Sequence, residues 1–195
     1  MVVQIPPSQY SAEEYLAHEE AAECRSEYRD GEIIPMTGGS INHNRIIRNL
    51  SRLLEIGLQT QPYEVFLSDL RLWIPRYQAY TYPDVLIIKD EPVFQSGRKD
   101  TVINPSIIFE VLSKSTSSRD RGDKFTYYRS IPEFQEYILI DQYQLHIEQF
   151  SKTPDGNWLF KETDDEDGVL NLAAANCQIP HRQIYERVNF ETQPE

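Results

Sequence analysis

Two apolar runs constrain the fold of this chain more than any other feature: YPDVLIIK at residues 82–89 and SIIFEVLS at residues 106–113. Their β-branched and aromatic residues run on without polar alternation and are bounded by Pro or by Ser and Thr, so both read as buried strands of a central sheet. Each run nevertheless carries an acid. Asp84 opens the first directly after Pro83, and Glu110 stands in the middle of the second. Burying an ionised carboxylate without a partner is costly enough to shift its pKa by up to roughly 3–5 units. Folding alone gives no reason for either acid.

The remaining segments supply layers around such a sheet. SAEEYLAHEEAA (11–22) predicts a short helix, with Ser11 and Glu14 at capping-box spacing. A hairpin is expected about Asp30 and Gly31, since an Asp-Gly pair supplies the positive φ of a tight turn. In INHNRIIRNLSRLLEIGL, Ile46, Ile47, Leu50, Leu53, Leu54 and Leu58 recur at spacings of three and four, which predicts an amphipathic helix ending near Gly57. YEVFL with LRLWIP (63–75) adds a strand that is bent or paired on itself at Ser68 and Asp69. A second helix is expected from about Ser117 to Ser130, with Ser117 and Asp120 as capping candidates and Pro132 as its stop. Strands at 136–141, 144–152 and 157–163 read as an antiparallel meander. Helix, three strands, helix, strands is an α/β order with one central sheet. The 195 residues fit one domain: a loose arm at 1–10, a core over 11–150, and C-terminal strands and tail at 151–195.

Charge narrows the functional classes. The net charge of −12 argues against a protein that coats nucleic acid, because nonspecific binding is driven by Lys and Arg contacts to phosphate. Five of those negative charges sit between Glu162 and Asp167, so −7 remains without them and a local basic face is still open. Arg71, Arg76, Arg119, Arg121 and Arg129 are candidates to build a phosphate-facing surface. Cys24 and Cys177 carry no metal-ligand spacing and read as isolated core thiols. No run approaches the roughly 18 apolar residues of a membrane span, and the first residues lack a basic and apolar leader, so a cytoplasmic location without membrane contact is expected.

A metal ion would answer the question posed by the two acids. Hard cations such as Mg²⁺ prefer carboxylate and carbonyl oxygens and keep several waters. In such a site a bound water becomes the nucleophile for phosphodiester hydrolysis, and a nearby Lys orients it or stabilises charge on phosphorus.

YPDVLIIK, followed 26 residues after Asp84 by Glu110 in IIFEVLS, resembles the PD-(D/E)xK nuclease superfamily, the fold of many restriction endonucleases. EYRDGEIIPM, HNRIIRNLSRLL, then Asp120, Lys124, Tyr128 and EYILID are similar to the Uma-two family of restriction-endonuclease relatives, over roughly residues 10 to 150. The resemblance implies a restriction-endonuclease-like core with a central mixed sheet, an added N-terminal hairpin and added C-terminal antiparallel strands. It also implies Mg²⁺ or Mn²⁺ as cofactor, with Asp84, Glu110 and the backbone carbonyl of Val111 as ligands. One position departs from the superfamily: its strand Lys is replaced by Leu112, which points to the same side as Glu110.

Two lysines are left to substitute. Lys114 has the right parity but lies beyond the expected strand end, where Uma-two relatives often carry Pro. Lys124 is the stronger candidate, because Asp120, Lys124 and Tyr128 fall at i, i+4 and i+8 and share a helix face. The resemblance further marks His43, at the start of the long helix, and Glu27, before the Asp-Gly turn, as possible members of the site, although a hairpin residue such as Glu27 is expected to face solvent. The expectation is a metal-dependent DNA endonuclease with Asp84, Glu110 and Lys124 as its catalytic residues, acting on DNA and assembled as a homodimer. Its rival is a catalytically inactive interaction or DNA-binding module on a nuclease scaffold.

Overall fold

The computed structural model describes residues 9–36 and 38–191, so residues 1–8 of the arm expected at 1–10 lie outside the described residues. In chain order, α1 (Ala12–Ala21) leads into the hairpin β1 (Ser26–Arg29) and β2 (Glu32–Pro35), followed by the long helix α2 (Ile41–Leu58). Next come β3 (Tyr63–Leu67), β4 (Arg71–Ile74), β5 (Ala79–Thr81), β6 (Val85–Lys89), β7 (Thr101–Val102) and β8 (Ile107–Leu112). A composite helix follows, made of α3 (Ser117–Arg119), a π turn (Asp120–Lys124) and α4 (Phe125–Tyr128). The chain ends in β9 (Glu136–Asp141), β10 (Ile147–Lys152), β11 (Trp158–Thr163), the pair β12 (Val169–Leu172) and β13 (Cys177–Pro180), and α5 (His181–Ile184).

The two acid-bearing runs lie side by side in a six-stranded mixed sheet of order β11-β10-β9-β8-β6-β3, in which only β8 and β9 run parallel. Alternation along β8 divides its side chains between two cores, as a strand's period of two requires. Ile107, Phe109 and Val111 pack with Ile46, Leu50 and Leu54 of α2 and with Leu170, Leu172 and Ile179 of the β12–β13 pair. Ile108 and Leu112 pack on the other face with Tyr128, Phe134, Leu72 and Ile74. Glu110 shares that second face with Leu112.

The expectation of one central sheet is corrected: a second, five-stranded sheet of order β2-β1-β5-β4-β7 covers that face. The 63–75 segment does not pair on itself but splits between the two sheets. Its turn is fixed where the Ser68 N–H donates to the Asp84 carbonyl at 3.1 Å, after which β4 pairs with β5. Tyr82, Pro83 and Asp84 carry the chain back into the first sheet. The outer side of the second sheet is closed by α1 through stacked Tyr15, Tyr28 and Tyr80.

α2 ends at Leu58, near Gly57 as expected; a Cβ at Gly57 would lie 2.6 Å from the Cys177 sulfur, so close helix-to-strand packing accounts for the glycine. Two smaller expectations change. Neither Ser117 nor Asp120 caps the second helix; the Thr116 N–H instead bonds the Ser113 hydroxyl at 3.2 Å, and Asp120 is drawn inward. Cys24 is exposed, so only Cys177 is a core thiol.

Candidate functional site

The site forms where the two sheets meet the composite helix. Glu110 is 3% exposed, and both of its hydrogen bonds fall on Oε1: the Tyr128 hydroxyl donates at 2.7 Å and the Lys124 ammonium at 2.9 Å. The wide π turn keeps Asp120 and Lys124 on the helix side facing the sheet, and such turns often accompany functional positions. Lys124 Nζ is surrounded, with Asp120 Oδ1 at 3.3 Å and Glu27 Oε1 at 3.4 Å besides Glu110. Asp120 is further fixed through its backbone carbonyl, which accepts from the Tyr137 hydroxyl at 3.0 Å.

Asp84 reaches the cluster from the crossover between sheets. Val85 pairs with Phe109, so one further step of the same register sets Asp84 opposite Glu110. Asp84 Oδ2 accepts the Val111 N–H at 2.7 Å and lies 3.2 Å from His43 Nε2. His43 is delivered by the first turn of α2, whose N-cap Ser40 accepts the His43 N–H at 3.1 Å, and its ring packs so close to Gly39 that a Cβ there would meet Nδ1 at 2.6 Å.

The electrostatics follow from this crowding. Burial pushes the Glu110 carboxyl up to about 7; Lys124 opposes the shift, while Asp84 and Asp120 add to it. Burial alone would lower the Lys124 ammonium, but Glu110 and Asp120 outweigh it and hold its pKa above the ordinary lysine value. Burial, then the adjacent Glu110, raises the Tyr128 phenol well beyond its usual range, so it remains a donor. Among the described residues, Glu27, Asp84, Glu110 and Asp120 face only Lys124 and Arg119 as permanent cations. Negative charge is in excess.

The structure thus brings together Asp84, Glu110, Lys124, Asp120, Tyr128, His43 and Glu27. Lys114 stands apart: β8 has ended, the side chain is exposed, and its ammonium lies over the Tyr143 ring at 5.8 Å. Glu27 corrects the expectation of a solvent-facing hairpin. Tyr28 turns outward to α1, so its neighbour Glu27 turns inward, where Thr81 donates to Oε1 and Arg119 pairs with Oε2. Thr81 was not anticipated, because a lone threonine in a three-residue strand carries no sequence signal.

The arginines sort differently from expectation. Arg71 is buried against Asp100 and Thr101, Arg121 pairs with Glu148, and Arg76 and Arg129 lie over the rings of Tyr77 and Phe125. Arg119 alone among the five touches the cluster.

Among the described residues no group of three or more His, Cys, Asp or Glu side chains is arranged to hold a metal ion. Two carboxylates are still suited to a hard cation that keeps several waters. Asp84 Oδ1 and Glu110 Oε2 make no hydrogen bond to the described residues, whereas both oxygens of Glu27 are engaged. The donor set fits a lightly held ion rather than a closed cage.

The fold is mixed α/β, with acids gathered where two sheets meet. Residues 12–180 match the Uma2 family, described as "Putative restriction endonuclease", and the chain belongs to that family. It is 46% identical over 163 residues to the uncharacterized protein sll1609 of Synechocystis sp., covering 84% of this chain and 92% of the relative. A second uncharacterized Synechocystis protein, slr1290, is 40% identical over 187 residues, 95% of this chain and 96% of that one. The crystal structure of "a putative nuclease belonging to DUF820" from Anabaena variabilis has the same fold, with a TM-score of 0.74 at 16% identity over 90% of this chain and 97% of the other. Among the described residues no helix is long and apolar enough to cross a membrane.

Proposed function

We propose that this protein is a metal-dependent endodeoxyribonuclease that hydrolyses DNA phosphodiester bonds, with Asp84, Glu110 and Lys124 as its working residues. The observation that carries the reading is the open oxygen on each of two acids, Asp84 and Glu110, in a cluster with more negative than positive charge. Asp84, Glu110 and the backbone carbonyl of Val111 would hold Mg²⁺ or Mn²⁺. A divalent ion bound there supplies Lewis acidity and lowers the pKa of water. The chain contributes the rest. The Val111 N–H and His43 orient Asp84, and Tyr128 and Lys124 fix Glu110 from the opposite oxygen. Lys124, kept protonated by its carboxylate neighbours, places a positive charge where negative charge develops on the phosphate oxygens. It takes the place of the strand lysine absent at Leu112. A second copy of the chain, cutting the second strand, completes the proposal.

Plasmid DNA incubated with Mg²⁺ or Mn²⁺ is nicked by the wild-type protein and spared by Asp84→Ala, Glu110→Ala and Lys124→Ala. Equal activity in all four proteins, or none with either metal, sinks the reading.

A further inference from the structure

Lys124 cannot be the group that draws in DNA, since three carboxylates already surround its ammonium. A chain of net charge −12 with an acid-rich site still needs a cation that a phosphate can reach. Arg119 is the better placed of the two: its side chain is 20% exposed, against 9% for Lys124. At present its guanidinium is engaged by Glu27 Oε2.

We propose that Arg119 is the receptor for a backbone phosphate of the nucleic acid, and that Glu27 is an internal stand-in for that phosphate, holding the guanidinium until a phosphate oxygen replaces it. The inference rests on the nuclease reading of the same site. Guanidinium presents one planar fork of donors that matches carboxylate and phosphate alike, so an arginine held by a carboxylate is already shaped for the exchange. The exchange strands no bare charge. When Arg119 leaves, Glu27 keeps Thr81 and Lys124 on its other oxygen, Oε1. Glu27 also differs here from Asp84 and Glu110: with both oxygens engaged by cations and a hydroxyl, it is a positioning residue for Lys124 and Arg119 instead of a metal ligand. Arg119, Lys124, Thr81 and Glu27 line one cavity between the hairpin and the composite helix, bordered by Tyr127 and by Arg29, which Asp123 neutralises at 2.9 Å.

The test uses the full chain and a fluorescent DNA duplex, with affinity followed by anisotropy over a salt series in EDTA. Arg119→Gln is expected to weaken binding about tenfold and to lower the slope of log K against log salt by about one, as for loss of one phosphate contact. Glu27→Gln removes the competing anion and is expected to tighten binding several-fold. Opposite effects from the two ends of one ion pair are what a purely structural pair would not give. Melting curves verify that both variants are folded; Arg119→Lys, which keeps the charge and loses the fork, serves if Arg119→Gln does not fold, and is expected to bind between wild type and the glutamine prediction. Wild-type affinity and slope in the Arg119 variant, or weakening by both substitutions, overturns the proposal. A wild type that cleaves plasmid while its variants bind as it does overturns this inference alone. A wild type that neither cleaves nor binds duplex overturns the nuclease reading with it.

Discussion

Two clusters of buried charge hold this protein together, and they are built on opposite plans. Beneath α1, Arg71 donates to Thr101 at 2.9 Å, to Asp100 at 2.7 Å and to the Tyr82 hydroxyl at 3.4 Å, with its guanidinium 5.6 Å from the Tyr80 ring. Glu19 in the same region accepts the Ser26 N–H on both oxygens and the Tyr82 hydroxyl at 2.8 Å. That network is closed. Around Glu110, charges buried as deeply leave two oxygens open and acids in surplus. A fold that needed only the desolvation of these groups to be offset would close both networks, because unmatched buried charge is destabilising. The difference supports the chemical role proposed for the second cluster.

The comparison yields an ordered set of outcomes. Glu110→Gln and Asp84→Asn, which keep shape and acceptor oxygens, are expected to lower plasmid cleavage by about a thousandfold. Differential scanning calorimetry should find both melting no lower than wild type, because relieving surplus charge offsets the lost bonds. A cleavage-competent variant, or one that melts far below wild type, breaks the contrast. Arg71→Met should do the reverse. Urea titration is expected to show a loss of about 2 kcal/mol from the lost hydrogen bonds of the buried guanidinium, since Asp100 is exposed and keeps Arg98, with cleavage by the folded fraction unchanged.

A subtler expectation concerns pH in the metal-free protein. The folded Glu110 carboxyl titrates near 7, above the ordinary glutamate value of 4.5, so between those limits the native state binds the extra proton. Its contribution to stability is therefore full below about pH 4.5 and lost as pH rises towards 7. Urea titrations in EDTA at pH 5 and 7.5 should show wild type losing stability relative to Glu110→Gln over that interval; parallel behaviour contradicts it. Smallest of all, Lys114→Ala should leave cleavage and melting as they are, and a loss of cleavage would return that lysine to the site.

Much of this was readable from sequence where a local rule was broken or kept. The two apolar runs declare their strands, the three-and-four spacing declares α2, and Asp84 and Glu110 stand out because acids there contradict the pattern around them. The helix face shared by Asp120, Lys124 and Tyr128 was legible too. What was not legible depends on distant partners. β5 and β7, at three and two residues, are too short to show a period, so the second sheet and the inward turn of Glu27 stayed hidden. Thr81 and Arg119 meet Glu27 only through tertiary packing. The π turn is a one-residue change of pitch that leaves no signature beyond Gly122.

The role proposed for Lys124 in place of a strand lysine has a consequence for how the site comes into being. A carboxylate and an ammonium two residues apart on one strand would be neighbours in any intermediate containing that strand. Glu110 and Lys124 belong to different elements, and their 2.9 Å contact exists only once the composite helix has docked between the sheets. On the proposed reading, competence is thereby tied to completed tertiary structure, and partly folded chains emerging during synthesis carry the acids without the cation that goes with them.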